Sequence, residues 1–424
     1  MKKILLYLLL LVAAVPAAAQ IRGNNITVTV TPDHLDWNYR AGEKAAFVVS
    51  VLRSGTPIPG AVIDYEAGPV EFTTVKKQGV TLKDGMMRWT ASLKQPGFYR
   101  LAVTAHVGGK EYKGLCTAAF SPEKVRPMTQ CPDDFMHFWQ KALTDARHTS
   151  LVPTRRLLPD RCTDKANVYE VSYQNEKWGS RMYGILSIPV RPGRYPALLR
   201  VPGAGVRPYA GDTYTRPDSL IVLEIGIHGI PVTMEQKVYD NLLNGALASY
   251  SFTNLDDANQ NYYKRVITGA VRGVDYIASL PEWDGRTLGV TGASQGGFLS
   301  LAVAALDKRV TCLAAVHDAM CDYESELKGV AGGWPHYYLY DKHPSDQKIR
   351  ALRYYDGVNF ARHCTVPAWF SFGYNDEVVP PQSSYGIYNI YPAQKSLSVY
   401  QLTGHFWFQE QWDEWQDWLR AHLK

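Results

Sequence analysis

The chain has 424 residues, 46% of them hydrophobic and 20% charged, and a formal net charge of +5 at pH 7. That length can bury the cores of two domains, and so small a positive excess, with no run of Lys or Arg, argues against nucleic acid as a partner. The six cysteines form no C-x-x-C pair and no Cys/His spacing typical of a metal site, so neither a metal site nor a disulfide framework is expected. Only Cys116 and Cys131 are considered as a pair that an oxidising compartment would join.

Residues 1–19 have the layout of a cleavable secretory signal. Lys2 and Lys3 precede the apolar run 4–15, and small residues follow it. The apolar run is too short to cross a bilayer. We therefore expect cleavage after Ala19 and a soluble exported protein, periplasmic or secreted, that does not span a membrane.

Residues 21–120 read as short strands separated by turns. The strand segments are rich in β-branched and aromatic residues: NITVTV, KAAFVVSVL, AVIDYEA, MRWTASL, GFYRLAVTAHV and KGLCTAAF. Turn sequences such as SGTPIPG, KDG and QPG lie between them. This spacing predicts an antiparallel, immunoglobulin-like β-sandwich domain. We expect it to brace the second domain or to form dimer contacts, with sugar binding as the open alternative.

In residues 121–424, after the linker SPEKVRP, the pattern of short strands and turns gives way to alternating helices and strands. A helix is predicted at DDFMHFWQKALTDAR, and apolar runs of strand length follow at VYEVSYQ, RMYGILSIP, YPALLRVPG and DSLIVLEIGIH. Further on, helices at NYYKRVITGAVRGVDYIASL, from Gln295 and at WFQEQWDEWQDWLRAHL alternate with strands TLGVTG, VTCLAAV, VPAWFSFG and SLSVYQL. The alternation predicts an α/β domain with a mostly parallel sheet.

Residues 292–296, GASQG, match the pattern G-x-S-x-G between a predicted strand and a predicted helix. Such a turn strains the backbone of the serine, and small neighbours allow strand and helix to approach each other. Ser294 is then expected to project from the carboxyl end of the sheet, where substrates bind in open α/β folds. The N–H of Gln295, at the start of the helix, is a candidate oxyanion donor. A serine that merely caps the helix is the alternative.

A serine hydroxyl becomes a good nucleophile when a histidine takes its proton and a carboxylate orients that histidine. In α/β-hydrolases the chain order is serine, acid, histidine. Asp376 follows the strand VPAWFSFG, and His405 follows the strand SLSVYQL. Both are expected in loops at the same edge of the sheet as Ser294.

Several other side chains compete for these roles. Glu377 adjoins the predicted acid but is one residue further from the strand. His317 and Asp318 follow the strand VTCLAAV and are candidates for the same pocket. His343 and His363 are expected in more exposed positions.

The loop RVPGAGVRPYAGD follows the third strand, where α/β-hydrolases place their second oxyanion donor. The N–H of Ala204 is the candidate, and a plain tight turn is the alternative. The segment DAMCDYESELKGVAGGWPHYYLYDKHPSDQ is expected to roof the pocket. Aromatic rings are candidates for contact with a sugar, although burial is their commoner fate. These candidates are Tyr209, Trp334, Tyr337, Tyr338 and Phe406.

Three stretches together resemble carbohydrate esterase family seven, the acetyl xylan esterases and cephalosporin C deacetylases. They are GASQGG, the upstream YYKRVITGAVRGVDYIASLPEWD and the downstream YYDGVNFARHCTVPAWFSFGYNDEVVPPQSSYGIYN. The resemblance runs from about Asp133 to the C-terminus and implies an α/β-hydrolase fold; the sandwich is an addition to it. It places the family's nucleophile, acid, base and two backbone oxyanion donors on Ser294, Asp376, His405, Gln295 and Ala204.

The chain departs from the family at two motifs. Gly226-Ile227-His228 stands where the family has Arg-Gly-Gln, and Phe406 stands where it has Glu after the histidine. We expect apolar packing between Ile227 and Phe406 to replace the missing ion pair. Similar proteins form ring-like hexamers, and because the added sandwich would block or replace those contacts, we expect a different homo-oligomer, a dimer.

The resemblance implies a serine esterase that removes acetyl groups from acetylated xylan, xylo-oligosaccharides or related small acetyl esters. Its acyl-enzyme mechanism needs no metal and no organic cofactor. Two other functions stay open: a serine peptidase of the α/β-hydrolase type and a non-catalytic glycan-binding protein. The Gln after the serine argues against the peptidase, and the intact set Ser294, Asp376 and His405 argues against the binding protein.

Overall fold

The computed structural model describes residues 24–424, so the predicted signal at residues 1–19 lies outside the described residues. Within the described range, every helix is too short or too polar to cross a bilayer. The chain forms an N-terminal β region followed by an α/β region. All six cysteines are free thiols, so Cys116 and Cys131 are not joined.

The N-terminal region consists of two β-sheets around one hydrophobic core. In one sheet β1, β3 and β4 are neighbours and β7 pairs with β3; the other has the order β2-β9-β8-β5-β6. Side chains from both sheets, such as Phe47 and Leu101, are fully buried between them. The strands are β1 (Ile26–Pro32), β2 (Asn38–Tyr39), β3 (Ala45–Arg53), β4 (Thr56–Pro57), β5 (Ala61–Pro69), β6 (Val75–Leu82), β7 (Met86–Ala91), β8 (Gly97–Val107) and β9 (Lys110–Phe120).

Every strand segment predicted in this region forms a strand, and β2, β4 and β6 are additional. The sequence of β6, VKKQGVTL, has no apolar alternation because the strand lies at the edge of its sheet and is mostly exposed. Charged side chains on such an edge discourage pairing with another chain.

The α/β region is built on one nine-stranded sheet with the order β10-β11-β12-β14-β13-β15-β16-β17-β18. The first three pairings are antiparallel and the remaining five are parallel, which confirms the predicted mostly parallel sheet. Its central strands are apolar throughout because helices cover both faces. The strands are β10 (Thr154–Leu157), β11 (Ala166–Gln174), β12 (Arg181–Pro189), β13 (Tyr195–Arg200), β14 (Ile221–Gly226), β15 (Trp283–Ala293), β16 (Cys312–Val316), β17 (Ala368–Phe372) and β18 (Lys395–Val399).

Ten helices lie among the described residues of this region. The long helix Tyr262–Ala278 begins where the Asn261 side chain accepts a hydrogen bond from the N–H of Tyr263, and its apolar positions face the core. The helices are α1 (Phe135–Arg147), α2 (Gln236–Leu243), α3 (Tyr262–Ala278), α4 (Gln295–Leu306), α5 (Tyr323–Glu326), α6 (Tyr337–Tyr340), α7 (Asp346–Leu352), α8 (Gly357–Ala361), α9 (Pro381–Ile390) and α10 (Gln409–His422).

The two regions share a small hydrophobic cluster of their own. Phe98 of β8 packs edge-on against Tyr374 at a ring distance of 5.4 Å, and Tyr385 of α9 joins them. Val125, in the predicted linker, is buried in the same cluster. The linker is therefore part of the packed interface between the regions.

Trp139 of α1 provides a test of the α/β core. Its ring is fully buried and its Nε1 donates a hydrogen bond to the carbonyl of Tyr354 at 3.1 Å. Trp139→Ala is expected to destabilise the fold by about 3–5 kcal/mol, because a large cavity replaces the ring. Thermal unfolding of Trp178→Ala is the control, since Trp178 is 76% exposed. Equal losses of melting temperature in the two variants would contradict the assignment of Trp139 to the core.

Candidate active site

Ser294 lies at the sharp turn between β15 and α4, with φ 60° and ψ −125°. Residues with a side chain rarely adopt this conformation, and such strain clusters at functional sites. The Ser294 N–H donates to the carbonyl of Val316 on β16 at 2.8 Å, which fixes the turn to the sheet. Although Ser294 is the N-cap residue of α4, its side chain makes no capping hydrogen bond with the described helix. The geometry thus disfavours the reading of Ser294 as a mere helix cap.

Two glycines allow this turn to form. A Cβ at Gly296 would lie 2.4 Å from the carbonyl oxygen of Val201, and a Cβ at Gly292 would lie 2.5 Å from the same oxygen. Both distances are shorter than any real Cβ contact. The end of β13 can therefore approach the turn only because both positions lack a side chain.

Asp376 is fully buried in the loop after β17, and its Oδ2 lies 2.8 Å from Nδ1 of His405. Its Oδ1 accepts hydrogen bonds from the N–H groups of Val378 and Val379, each at 2.8 Å. Burial opposes ionisation, but the adjacent His317 imidazole and the hydrogen-bonded His405 ring outweigh it and hold the pKa of Asp376 well below its usual range. The carboxylate is therefore charged and can orient the His405 ring.

A pocket of about 390 Å³ opens beside this loop. Ser294 and His405 both line it, so the structure brings the predicted nucleophile, base and acid together. The other lining residues are Gly203, Ala204, Arg207, Ala293, His317, Trp334, Val378 and Trp407.

Gln295 connects the serine turn to the loop that carries Ala204. Its backbone N–H belongs to the first turn of α4, where a helix leaves its N–H groups without intrahelical partners. Its side-chain Oε1 accepts from the hydroxyls of Tyr250 and Tyr263 at 3.0 and 2.8 Å, and its Nε2 donates to the carbonyl of Pro202 at 3.2 Å. The two predicted oxyanion donors thus belong to segments that one buried glutamine joins.

His228 provides a second anchor for the same loop. Its Nε2 donates to the carbonyl of Gly205 at 2.9 Å, and its Nδ1 accepts from the hydroxyl of Tyr262 at 2.7 Å. Burial lowers the pKa of His228 to about 4, so the ring is neutral at pH 7 with the proton on Nε2. Gly205 directly follows Ala204, so this histidine fixes the backbone at the predicted oxyanion donor.

Comparison with known proteins identifies the family. Residues 122–422 match the family described as acetyl xylan esterase (AXE1). The chain is also 34% identical to acetyl esterase Axe7A of Xylanibacter ruminicola over 438 aligned residues, which cover all of this chain and 98% of that protein. The chain belongs to the acetyl xylan esterase family. It is a carboxylic ester hydrolase, and the predicted family is confirmed.

Solved structures confirm the α/β-hydrolase fold. The acetyl xylan esterase from Paenibacillus sp. R4 superposes with a TM-score of 0.62 at 24% identity, over 71% of this chain and 98% of that one. Acetyl xylan esterase 1 from Thermoanaerobacterium sp. JW/SL YS485 gives a TM-score of 0.60 at 21% identity, over 70% of this chain and 96% of that one. Both solved structures thus cover about 70% of this chain, whereas the alignment with Axe7A covers all of it.

The predicted sugar-contacting rings divide into three groups. Trp334 lines the pocket. Tyr209 is buried in a separate cluster with Val168, Ile185 and Val232, while Tyr337 and Tyr338 are buried in the main core. Phe406 is half exposed, with its ring 5.8 Å from that of Phe408.

The expected packing of Ile227 on Phe406 is wrong. Ile227 is fully buried in the main core, whereas half of the Phe406 side chain is exposed to solvent. The residue of this motif that carries a recognisable role is instead His228, through its contacts to the oxyanion loop.

The other competitors for the acid and base roles differ in their surroundings. Glu377 and His343 are exposed, and Nδ1 of His363 donates to the carbonyl of Asn359 in α8 at 2.8 Å. His317, by contrast, lines the pocket, is almost fully buried and lies 3.3 Å from Oδ2 of Asp376. It is a second imidazole on the same carboxylate.

Two lining residues were missed in the sequence. Trp407 is 43% exposed at the pocket and follows the histidine in the run HFWF, which was the available signal. Arg207 donates to the carbonyl of Ala204 at 2.7 Å, a contact that no sequence pattern predicts.

Two clusters of described residues bring three possible metal ligands within 4.8 Å of one another. One is His317, Asp376 and His405; the other is Glu71, Glu326 and His336. Histidine nitrogens and carboxylate oxygens lie 2.8 to 3.3 Å apart in both clusters, and the pairs His405–Asp376 and His336–Glu326 are hydrogen-bonded. Charge and hydrogen bonding between the side chains account for both clusters.

Gly296→Ala tests the close approach at the serine turn. The new Cβ would displace the end of β13 from the turn, and misplacement of about 1 Å at reacting groups costs up to about 100-fold in rate. We expect at least a tenfold lower kcat for 4-nitrophenyl acetate. Gly386→Ala on α9 is the control, because its Cβ meets only ordinary contacts at 3.6 Å or more. Equal activity in both variants would refute the steric argument.

The buried carboxyl of Asp318 is expected to make the stability of the fold depend on pH. Burial raises its pKa from 3.8 to about 8, so the folded state holds this proton more tightly than the unfolded state. Asp318 therefore makes its full contribution to the free energy of unfolding below pH 3.8, and this contribution is lost as the pH rises through about 8. Asp318→Asn is expected to flatten the fall of melting temperature between pH 4 and 8, whereas Asp164→Asn at an exposed site leaves the curve as in the wild type. An unchanged slope in Asp318→Asn would contradict the buried, protonated carboxyl.

Proposed function

We propose that the protein is a serine esterase that removes acetyl groups from acetylated xylan or xylo-oligosaccharides. One observation carries the proposal: Ser294, in a strained backbone conformation, lines the same pocket as His405, and the His405 ring is hydrogen-bonded to Asp376. Membership of the acetyl xylan esterase family and the likeness to an acetyl esterase support acetyl as the acyl group that is transferred to Ser294.

In the first half of the reaction, the Ser294 Oγ attacks the acetyl carbonyl carbon while His405 Nε2 takes the hydroxyl proton. The oxyanion that forms is stabilised by the N–H groups of Ala204 and Gln295, each worth roughly 3–4 kcal/mol in the barrier. When the C–O bond to the sugar breaks, His405 returns the proton to the leaving sugar oxygen. The products of this half are the free sugar hydroxyl and acetyl-Ser294.

In the second half, His405 takes a proton from water as the water oxygen attacks the acetyl-enzyme carbonyl. The second tetrahedral intermediate uses the same two N–H donors, and its collapse releases acetate and restores the Ser294 hydroxyl. Asp376 keeps the ring oriented and stabilises the imidazolium in both halves.

The pocket supports a small acyl chain next to a sugar. Its volume of about 390 Å³ is at the small end for ligand pockets. Trp334 and Trp407 border it, and flat aromatic faces suit contact with a sugar ring.

We further propose that residues 21–120 form an immunoglobulin-like sandwich that braces the catalytic region. The two sheets around one core in this region support it. We also propose that the protein is exported to the periplasm or outside the cell, which Lys2, Lys3 and the apolar run after them support. We propose in addition that it assembles into a homo-oligomer.

Acetate release from acetylated xylo-oligosaccharides tests the function. The wild type is expected to release acetate and to hydrolyse 4-nitrophenyl acetate faster than 4-nitrophenyl butyrate. In Ser294→Ala the rates of both reactions are expected to fall at least a thousandfold, because the triad nucleophile is removed. Ser396→Ala, an exposed serine on β18, is the control and should match the wild type.

The outcomes separate the parts of the proposal. Cleavage of the simple ester without cleavage of the sugar esters would leave the nucleophile in place and overturn the substrate. Activity that persists in Ser294→Ala would overturn the mechanism.

A further inference from the structure

An arginine of the N-terminal region contacts the loop that carries Asp376. Arg100 lies on β8, and its Nη2 donates to the carbonyl of Asp376 itself at 2.7 Å and to the carbonyl of Tyr374 at 3.2 Å. Its Nε donates to the hydroxyl of Thr117 on β9 at 2.8 Å, which fixes the guanidinium to the N-terminal sheet. One side chain thus links that sheet directly to the backbone of the proposed acid.

The surroundings of this arginine show why the contact is strong. Burial lowers the pKa of Arg100, while the negative charges of Glu377, Asp376 and Glu71 oppose that shift. A guanidinium stays protonated in proteins, and N–H donors that are partly shielded from water, as those of Arg100 are, need acceptors in the protein. The two carbonyls of the acid-bearing loop are those acceptors.

Neighbouring residues of the same loop also contact the N-terminal region. The Tyr374 hydroxyl donates to Oδ1 of Asn38 at 2.7 Å, and Nδ2 of Asn375 donates to the carbonyl of Leu115 at 3.2 Å. Three consecutive residues, 374 to 376, are therefore held by the N-terminal region. We name residues 374–379 the acid loop.

A second link reaches the other side of the acid loop. His336 lies 3.0 Å from Glu71 of the N-terminal region and 3.1 Å from Glu326, and its Nε2 donates to the carbonyl of Val378 at 3.0 Å. Val378 lines the pocket, as does Trp334, two residues before His336. The N-terminal region thus supports both the acid loop and the segment that carries a pocket-lining tryptophan.

We propose that Arg100 is a positioning residue for ester hydrolysis and that the N-terminal region completes the active site by holding the acid loop. Within the loop, Val378 and Val379 fix one carboxylate oxygen of Asp376 and His405 meets the other. Arg100 fixes the carbonyl of the same residue, so its loss lets the carboxylate move relative to His405. This inference rests on the proposed role of Asp376.

The test compares Arg100→Lys and Arg100→Met in the full-length protein, with turnover of 4-nitrophenyl acetate divided by the concentration of titrated active sites. Methionine keeps the length of the side chain but donates no hydrogen bond, whereas lysine keeps the charge and can reach one carbonyl. We expect kcat per active site to fall about tenfold or more in Arg100→Met with KM changed less than twofold, and to be partly restored in Arg100→Lys. Arg88→Met, at an exposed arginine of β7, is the control and should keep the wild-type kcat.

A merely structural role predicts a different result. It would lower the melting temperature or the titrated fraction of active sites but leave kcat per active site as in the wild type, and that outcome overturns the proposal. If Arg100→Met does not fold, Arg100→Lys decides: a reduced kcat supports the proposal and an undiminished kcat overturns it. Ser294→Ala is assayed beside them, because activity that survives in that variant would refute the proposed function itself rather than the role of Arg100.

Discussion

Asp376 is both buried and ionised. The protein must therefore supply the hydrogen bonds that water would otherwise make to its carboxylate. Two backbone N–H groups, from Val378 and Val379, and the His405 ring supply hydrogen bonds to its oxygens. His317 adds a second imidazole at 3.3 Å. The acid loop must keep one conformation for these bonds to form together, so the elements around it are arranged to hold the loop.

The parallel sheet provides the first part of that support. Because β15, β17 and β18 run in the same direction, the loops at their carboxyl ends meet at one edge, and Ser294, Asp376 and His405 come together there. Positive φ at the serine is a local cost that the packing of Gly296 against β13 makes tolerable. The N-terminal region provides the second part, through Arg100 and the interface around Tyr374. Both regions of the chain thus contact the acid loop.

The sequence predicted what depends on chain order and local pattern. Ser294, Asp376 and His405 follow strands that apolar runs reveal, and their order is that of the fold, so their meeting could be predicted without coordinates. Trp334 was found because it lies in an insertion next to the pocket. Tyr209 and Tyr338 are aromatic residues of a kind that often contacts sugars, so the sequence alone could not show that they are buried. Their burial depends on packing against distant segments. His228 and Arg100 act on backbone carbonyls, which carry no sequence signature, and Arg100 does so across 276 positions of the chain.

The central claim is that an ionised Asp376 binds the Nδ1–H of His405, and proton NMR of protein labelled with ¹⁵N-histidine tests it most directly. The account predicts a ¹⁵N-coupled proton far downfield of the amide region that is lost in Asp376→Asn and in His405→Gln but persists in His317→Gln. A resonance that survives in His405→Gln and disappears in His317→Gln would assign the carboxylate to His317 and contradict the account.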